Sequence, residues 1–462
     1  MTETAGHPNG IRLMRILAFT LVLSSMSATM FNIVLPDISA EFRLSLSQVS
    51  WVTSAYILVY AIGSVMYGKL ADSYKLKNLL VFGLGLFALG SIAGLAAHAF
   101  WTVLLGRILQ AAGASVIPAT AMIIPIRYFP PESRGRALGI SAMGLAIGGA
   151  VGPVVAAFLA SSLDWRWLFC VPLLVLFTLP YYRKYLGDER GPGGKIDWLG
   201  GLLLGGAAAC LLLSVTRGSW LTASFSLLLF ILFLIRIRLA SVPFIQPSLF
   251  RNPQFAIGLG LAATISGTGY SLPFLTPQLL SDVHRLASGW IGVAMVPAAA
   301  VSALLGRRGG KLADVKGNAF LFGLSSAGLL LCYALLSTWS GSSPYFVALV
   351  LIVGNAGQMF MMLAMNNTMS RTLPKEQTGV GMGMLSMVNF LSGAVSASVY
   401  SSIVDSGSSV SWNPLNPYRD SFVYGNIYAA LALLQIGILA VYRLRFGDTR
   451  RLAVYSNRRA NG

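Results

Sequence analysis

The sequence carries little charge for its length. Only 10% of its 462 residues are Asp, Glu, Lys or Arg, whereas soluble domains carry about 25%. Hydrophobic residue types make up 55% of the chain, and the mean hydropathy is +0.71. Since a soluble protein needs a charged surface, this composition excludes a soluble enzyme, a disordered chain and a coiled coil.

Cysteine, histidine and acidic residues are also scarce. The three cysteines, Cys170, Cys210 and Cys332, lie inside apolar runs without the spacing of metal ligands, so we expect neither a disulfide framework nor a metal site. The sequence contains no glycine-rich phosphate loop, and we expect no ATP site and no cofactor. The 15 Asp and Glu residues all lie in loops, in tails or at the ends of apolar runs.

The hydrophobic residues form about fourteen runs, each long enough to cross a bilayer core of about 30 Å as a helix. The runs are centred on residues 13–35, 50–68, 79–97, 102–124, 136–160, 167–182, 197–216, 220–240, 255–280, 289–306, 318–338, 344–366, 379–404 and 423–443. The predicted fold class is therefore an all-α membrane protein with fourteen transmembrane helices and no appended soluble domain.

The basic residues indicate the orientation of these helices. Lys and Arg number 33 against 15 Asp and Glu, which gives a formal net charge of +18. With the N-terminus in the cytoplasm, 27 of the 33 basic residues fall in cytoplasmic segments and five in outer loops, as the positive-inside rule requires. We therefore predict cytoplasmic termini, and we attribute the basic charge to orientation and not to nucleic-acid binding.

One five-residue motif occurs twice in the chain. Residues 68–72 and residues 310–314 both read Gly-Lys-Leu-Ala-Asp, and each copy follows the second span of a six-span unit. Two related helix bundles are typical of secondary transporters. The repeat therefore predicts a transporter built from two similar halves.

The repeat and its surroundings resemble the major facilitator superfamily. Residues 68–77 are similar to the superfamily's loop between helices 2 and 3, although Ser73 and Lys75 stand where Arg and Gly are usual. Residues 105–114 resemble the fourth-helix Arg motif, and residues 144–153 resemble the fifth-helix motif of exporters.

Two further segments narrow the resemblance. Residues 32–38 resemble the end of helix 1 in the fourteen-span drug:proton antiporters, and residues 282–286 are most similar to the class K and L tetracycline efflux proteins of Gram-positive bacteria. The resemblance implies alternating access between two six-helix bundles with two extra central helices. It places the bundles at residues 1–182 and 251–462, and the extra helices in a linker at residues 183–250.

Arg107 is the only formal charge that the sequence places deep in a span. Because an Arg near the bilayer centre costs about 2.5–3.5 kcal/mol on insertion scales, we expect it to be functional, and the resemblance implies a role in proton coupling. The embedded Glu residues of the tetracycline exporters are replaced here by Ala28, Gly149 and Gly393. The remaining candidates for proton carriers are the substrate itself and the rim acids Asp37, Asp282 and Asp405.

Polar side chains at helical spacing predict the wall of a substrate cavity. The alternative for each of them is an interhelical hydrogen bond. Because Arg107 is positive and the spans lack a central acid, electrostatics favour an anionic, zwitterionic or neutral amphiphile. The candidate binding residues are Asn32, Tyr56, Gln110, Tyr270, Asn355, Gln358, Met362, Asn366, Ser386 and Asn389.

The resemblance also implies a set of gating residues. It implies that the loop Asp bonds a basic residue and a helix N-terminus on the cytoplasmic side, and the alternative is a solvated loop acid. The glycines and the proline of the fifth-helix motif would permit close helix approach or a bend. The candidates are Gly68, Asp72, Arg134, Arg136, Gly148, Gly149, Gly152, Pro153, Gly310 and Asp314.

The sequence thus predicts a proton-coupled exporter of small amphiphilic compounds, such as a tetracycline-like antibiotic or a related metabolite. We expect a monomer in the bacterial plasma membrane, whose partners are its small-molecule substrate, protons or monovalent cations, and the lipid bilayer. One alternative is an uncoupled or Na+/K+-linked carrier of an anionic or zwitterionic metabolite. A second alternative is a relative that has lost transport and acts as a sensor or an assembly partner.

Overall fold

The computed structural model describes residues 10–44, 46–49, 51–130, 133–187, 197–241, 243–286, 288–373 and 377–446. All regular secondary structure in these ranges is helical. The chain divides into two compact units. The first unit contains Met1–Leu249 and Leu373–Leu391, and the second contains Phe250–Thr372 and Ser392–Gly462. The division predicted at residues 182 and 250 stays a prediction.

The first unit contains the helices of the N-terminal half and the beginning of one later helix. The segment at 165–185 alternates between short α and 3-10 turns, and its prolines Pro172 and Pro180 each remove a backbone donor there. The helices are Gly10–Met30, Leu35–Phe42, Leu46–Val49, Trp51–Ser73, Leu76–Leu95, Phe100–Ala114, Val116–Tyr128, Arg134–Ser162, Trp165–Phe169, Cys170–Leu173, Leu174–Thr178, Leu179–Tyr185, Trp198–Arg217 and Trp220–Leu239, with the start of Thr378–Ser406.

Glycine rows bring the helices of the first unit close together. Helix Arg134–Ser162 packs on helix Gly10–Met30 through glycines spaced by four residues. A Cβ at Gly144 would lie 2.7 Å from the Ala18 carbonyl oxygen, and one at Gly148 would overlap the Val22 carbonyl. Since lipid offers no hydrophobic drive for helix association, such close backbone contact is a main source of membrane helix packing.

The two extra helices form a hairpin in the first unit. Helix Trp198–Arg217 ends at Gly218, which has a left-handed φ of 60°, and Ser219 caps the start of helix Trp220–Leu239. At the other end, the buried Asp197 carboxylate accepts hydrogen bonds from the Arg236 guanidinium at 3.0 and 3.1 Å and from the Gly200 backbone N–H at 3.1 Å.

The second unit contains the helices of the C-terminal half. The long helix predicted at 255–280 is broken at Tyr270, where the backbone of one helix ends and that of the next begins. The helices are Ser248–Arg251, which lies across the boundary, Pro253–Gly269, Ser271–Asp282, Ser288–Lys316, Asn318–Trp339, Pro344–Thr372, the remainder of Thr378–Ser406, Arg419–Ser421 and Phe422–Phe446.

The sequence predicts fourteen membrane spans, and the described residues show twelve or thirteen candidates. Twelve helical segments of the described chain are long and apolar enough to cross a membrane. A thirteenth is a pair, Trp290–Gly306 and Arg308–Lys316, bent by 45°. The run predicted at 197–216 forms helix Trp198–Arg217, of which Trp198–Leu211 is the apolar segment found among the described residues. An all-helical membrane fold with twelve or thirteen candidate spans is therefore supported, and a count of fourteen is not.

Candidate functional site

Arg107 lies on helix Phe100–Ala114 and is fully buried, with 0% of its surface exposed. Its Nε donates to the Val52 carbonyl at 3.2 Å, and its Nη1 donates to the Ser27 carbonyl at 3.2 Å and to Gln110 Oε1 at 2.9 Å. The helices Gly10–Met30 and Trp51–Ser73 thus each supply a backbone acceptor. These bonds offset part of the cost of removing the guanidinium from water.

Two aromatic rings complete the surroundings of this guanidinium. Its carbon atom lies 4.2 Å from the Phe31 ring centroid and 4.0 Å from that of Tyr56. A desolvated cation–π contact contributes about 2 kcal/mol or more. All these partners of Arg107 are uncharged, so backbone and amide dipoles and two aromatic rings stabilise its positive charge.

The neighbouring polar residues are tied to Arg107 in one network. Gln110 Nε2 donates to Ser91 Oγ at 2.8 Å, and this bond orients the amide oxygen toward Arg107. The Tyr56 ring stacks on Tyr60 at 5.8 Å. Within the described chain, Arg107 Nη2 and the Tyr56 hydroxyl have no hydrogen-bond partner, so both can take part in further polar contacts.

Asp72 binds the beginning of a distant helix within the first unit. Its two carboxylate oxygens accept hydrogen bonds from the Gly379 and Val380 backbone N–H groups, each at 3.0 Å. These groups lie in the first turn of helix Thr378–Ser406, where the helix dipole favours a negative charge. A Cβ on Gly68 would lie 2.5 Å from the Gly379 carbonyl oxygen, so this approach requires glycine.

Several basic residues lie in the same part of the first unit as this cap, and the roles of Arg134 and Arg136 stay predictions. Lys69 and Arg127 are the cations that act electrostatically on Asp72, and Arg127 donates to the Ala71 carbonyl at 2.8 Å. Arg134 donates to the Phe129 and Ile126 carbonyls at the end of the preceding helix, and Arg136 is exposed.

The remaining gating candidates lie in three places. Gly148 and Gly152 lie at the contact with helix Gly10–Met30, whereas Gly149 faces more open space, with Ser25 Oγ 3.6 Å from its built Cβ. Gly310 is buried and Asp314 half-buried on helix Ser288–Lys316 of the second unit. The Pro153 side chain lies outside the described residues.

The candidate binding residues divide between the two units. In the first unit, Asn32 is exposed and accepts from the Thr53 hydroxyl at 3.0 Å, while Tyr56, Gln110 and Ser386 are buried and Asn389 is half-buried. The structure therefore brings Tyr56 and Gln110 together at Arg107.

In the second unit, four candidates share helix Pro344–Thr372. Gln358 Nε2 donates to the Ile265 carbonyl at 3.1 Å, Asn355 Nδ2 donates to the Leu351 carbonyl at 3.0 Å, and Met362 Sδ accepts from Ser266 at 3.7 Å. Asn366 is half-buried. The other candidate, Tyr270, is 41% exposed at the helix break and stacks on Phe274 at 6.3 Å.

The candidate proton carriers differ in their surroundings. Asp37 is exposed in the first turn of helix Leu35–Phe42. Asp282 ends helix Ser271–Asp282 and accepts a hydrogen bond of 2.6 Å from the buried Tyr424 hydroxyl. The Asp405 side chain lies outside the described residues. Of the two described acids, Asp282 is therefore the one that bonds a buried side chain.

The first unit also contains an ion-pair cluster that was not predicted from the sequence. The Glu41 carboxylate accepts from the Arg166 guanidinium and from the Trp165 indole N–H, the latter at 2.7 Å. Arg166 also pairs with Asp164 at 3.1 Å. The hydrogen bond from Arg166 holds the pKa of Glu41 below its ordinary value.

The partners of Arg107 and of Asp72 were also missed from the sequence. Ser27, Phe31 and Val52 surround Arg107, but only their position in neighbouring spans could have suggested it. For the cap partner of Asp72, a Thr-Gly at positions 378–379 opening an apolar run was an available helix-start signal. Among the described residues, no group of three His, Cys, Asp or Glu side chains could hold a metal ion.

Known proteins share this architecture. The riboflavin transporter RibZ of Clostridioides difficile (strain 630) is 25% identical over 397 residues, which cover 84% of this chain and 86% of RibZ. The multidrug resistance protein Stp of Mycobacterium tuberculosis (strain CDC 1551 / Oshkosh) is 26% identical over 410 residues, which cover 85% of this chain and 76% of Stp.

A solved structure supports the same fold. The human organic anion transporter MFSD10 (TETRAN) aligns with a TM-score of 0.69 at 15% identity, covering 94% of this chain and 100% of that chain. The sequence matches the Major Facilitator Superfamily over residues 17–397. The chain therefore belongs to the Major Facilitator Superfamily, whose members are multi-pass membrane transporters of small molecules and not enzymes.

Proposed function

We propose that this protein is a secondary active exporter of small amphiphilic compounds that works by alternating access and is driven by the proton gradient. The observation that carries the proposal is the membrane-buried Arg107 with Tyr56 and Gln110 around it. A buried ionisable residue in a span is retained for function by default, since insertion scales penalise it. In this family such a residue acts in transport.

The proposed substrate carries no net positive charge. The partners of Arg107 are all neutral, so the local potential favours an anionic, zwitterionic or neutral ligand. The relatives described above are named for riboflavin transport and multidrug resistance. A tetracycline-like antibiotic or a related metabolite is one member of the proposed class.

The Asp72 cap is proposed to be a gate of this transporter. Two backbone N–H groups and the dipole of helix Thr378–Ser406 hold the carboxylate. Opening the cytoplasmic side would break these bonds, and closing it would form them again. Gly310 and Asp314, in the second copy of the repeat, are proposed to have the corresponding role. We place the protein in the bacterial plasma membrane as a monomer with cytoplasmic termini.

Uptake into everted membrane vesicles tests this function. Riboflavin, tetracycline and a quaternary ammonium dye are supplied with and without an imposed pH gradient. The proposal predicts gradient-driven uptake of a neutral or zwitterionic compound, no uptake of the dye, and loss of uptake in Arg107→Gln. Arg251→Gln is a matched control, because Arg251 is exposed at the end of a short helix.

A different form of coupling is the second candidate. The described spans hold their acids at the ends and not near the middle, which favours an uncoupled or Na+/K+-linked carrier. Uptake that is equal with and without the pH gradient would support this candidate, and dependence on added Na+ or K+ would identify the ion. Binding without transport by folded protein would instead support a sensor or an assembly partner.

A further inference from the structure

Buried hydroxyl groups form a connected cluster in the second unit. The cluster begins at Asp282, which is exposed and accepts a 2.6 Å hydrogen bond from the Tyr424 hydroxyl. Tyr428 lies one helical turn after Tyr424 on helix Phe422–Phe446 and is fully buried. Its hydroxyl faces that of Thr276, also fully buried, on helix Ser271–Asp282.

The cluster continues toward the helix break at Tyr270. The Tyr333 ring stacks on Tyr428 at 6.3 Å, and its hydroxyl faces Ser271, the first residue after the break. From Ser271 to Asp282 the helix rises about 16 Å at 1.5 Å per residue. The hydroxyls of this cluster therefore extend along most of that helix.

Three of these hydroxyls have unused hydrogen-bonding capacity. Within the described chain, the side-chain oxygens of Ser271, Thr276 and Tyr428 are buried without a hydrogen-bond partner. Each can donate one proton and accept another. Because buried polar groups are normally paired, three unpaired hydroxyls on adjoining helix faces call for an explanation.

Other tyrosines fix the inner end of the cluster. Tyr333 donates to the Thr268 carbonyl at 3.0 Å, and Tyr400 donates to the Gly267 carbonyl at 2.9 Å. The break is therefore a stable feature, and it places Ser271 next to the exposed Tyr270 ring.

We propose that Asp282, Tyr424, Tyr428, Thr276 and Ser271 form a proton relay that joins one surface of the second unit to the helix break at Tyr270. We call these five residues the hydroxyl relay. Single water molecules connect hydroxyls that do not touch, as they do in polar protein interiors. The inference rests on the proposed proton-coupled function and assigns its route.

The proton balance of the relay is simple. A proton from the solvent binds the Asp282 carboxylate, and the neutral carboxyl donates it to Tyr424. Each hydroxyl accepts one proton on its oxygen and releases its own to the next group, so every hydroxyl ends neutral. The final acceptor is a water molecule beside Tyr270, which releases the proton to the opposite side of the membrane when the carrier opens there. Asp282 returns to its carboxylate form, and the proton crosses in the direction opposite to the substrate.

The charged groups near Asp282 lie in the segment that follows it and in the segment before helix Phe422–Phe446. His284 and Arg285 follow it in the next turn, and the His284 ring bonds the Ser340 carbonyl at 2.8 Å. Arg419 and Asp420 precede helix Phe422–Phe446. Three helices pack against Ser271–Asp282. Helices Ser288–Lys316 and Pro344–Thr372 have their charged residues at the end far from Asp282, and helix Pro253–Gly269 has none.

Infrared difference spectroscopy of the full chain in lipid tests the relay without any substrate. The protonated carboxyl band is followed as a function of pH, and Asp282→Asn identifies the Asp282 contribution. The relay predicts that Tyr428→Phe and Thr276→Val shift this band, although neither residue bonds Asp282. Tyr442→Phe is the matched control, because Tyr442 is buried on the same helix but bonds Thr368 at 2.9 Å. An unchanged band in both relay variants overturns the proposal.

Transport in proteoliposomes provides the second measurement. Tetracycline and riboflavin are the probes, and an internal pH dye reports proton movement. The relay predicts that Asp282→Asn lowers gradient-driven transport by about 10²-fold and Tyr428→Phe by about tenfold, while exchange of labelled for unlabelled probe stays near wild type. Wild-type rates of gradient-driven transport in both variants overturn the relay.

Two further outcomes separate the relay from the proposed function. Equal loss of exchange and of gradient-driven transport in Tyr428→Phe would show that Tyr428 supports binding or folding, which overturns its relay role. No gradient-driven transport by the wild type would overturn the proton-coupled function itself and the relay with it.

Discussion

The two units of this transporter differ in whether their described residues bury a formal charge. The first unit buries a permanent charge, Arg107, and surrounds it with two carbonyls, an amide and two rings. The second unit buries neutral hydroxyls and leaves several of them unpaired. A fixed charge needs a rigid shell of dipoles, whereas a mobile proton needs groups that can turn. The two units therefore differ in the chemistry of their buried polar groups.

The largest effect is expected from removing the fixed charge. Arg107→Ala should abolish transport and lower the free energy of unfolding by about 3 kcal/mol, because the carbonyls of Ser27 and Val52 and the Gln110 amide lose their donor in a buried place. Thermal unfolding in detergent and vesicle uptake measure the two effects.

Arg107→Lys sharpens this test. It keeps the charge, but a single ammonium cannot replace the planar guanidinium that stacks between Phe31 and Tyr56. We expect intermediate stability and little transport. Full transport by Arg107→Lys would show that charge alone is enough and would contradict the role given to the aromatic pair.

Helix packing offers a second comparison between the units. Gly148→Ala should destabilise the first unit by about 1–3 kcal/mol, because the new methyl group would overlap the Val22 backbone. Gly260→Ala, on helix Pro253–Gly269 of the second unit, is the control, since its built Cβ meets nothing within 4 Å. We expect it to be neutral or slightly stabilising. Equal melting temperatures of the two variants would rule out glycine packing as the cause.

Removing the Asp72 cap should change stability less than Gly148→Ala does, and its main effect should be on transport. Asp72→Asn keeps an acceptor for one of the two N–H groups but loses the charge at the helix end, at a cost of about 1 kcal/mol. Uptake should fall severalfold if the cap closes a gate. Ser73→Ala, at the next position, is expected to transport normally, and a variant Asp72→Asn that equals it would refute the gating role.

The smallest effect concerns the outer acid of the first unit. The pKa of Glu41 lies below its ordinary value of 4.5 because Arg166 bonds it. Its stabilising contribution is therefore complete above about pH 4.5 and is lost as the pH falls through the lower folded value. Glu41→Gln should lower the melting temperature at pH 7 by a small amount, since exposed pairs contribute about 1 kcal/mol at most. The difference should vanish in acid.

Sequence reasoning reached the spans and Arg107 because both depend on local pattern. Apolar runs and one isolated Arg are visible along the chain. The run predicted at 197–216 forms helix Trp198–Arg217, whose apolar part among the described residues is Trp198–Leu211. Its Asp197 was assigned to a span end, and its pairing with Arg236, 39 positions later, had no sequence signal.

The hydroxyl relay could not have been read from the sequence. Its five residues come from two helices, Ser271–Asp282 and Phe422–Phe446. Tyrosines are common in membrane helices, and only the fold shows which of their hydroxyls meet. The partner of Asp72 is similar, since Gly379 lies 307 positions away. Contacts of this kind depend on tertiary packing and not on periodicity.

The Asp197–Arg236 pair has a consequence for biogenesis. It joins the two free ends of a helical hairpin whose turn is only Gly218 and Ser219. A nascent chain could therefore place both helices in the bilayer together, with an acid neutralising a base at the same membrane surface. The hairpin would then enter the bilayer as one unit. Relatives could gain or lose it without a change in the charged residues of the helices on either side.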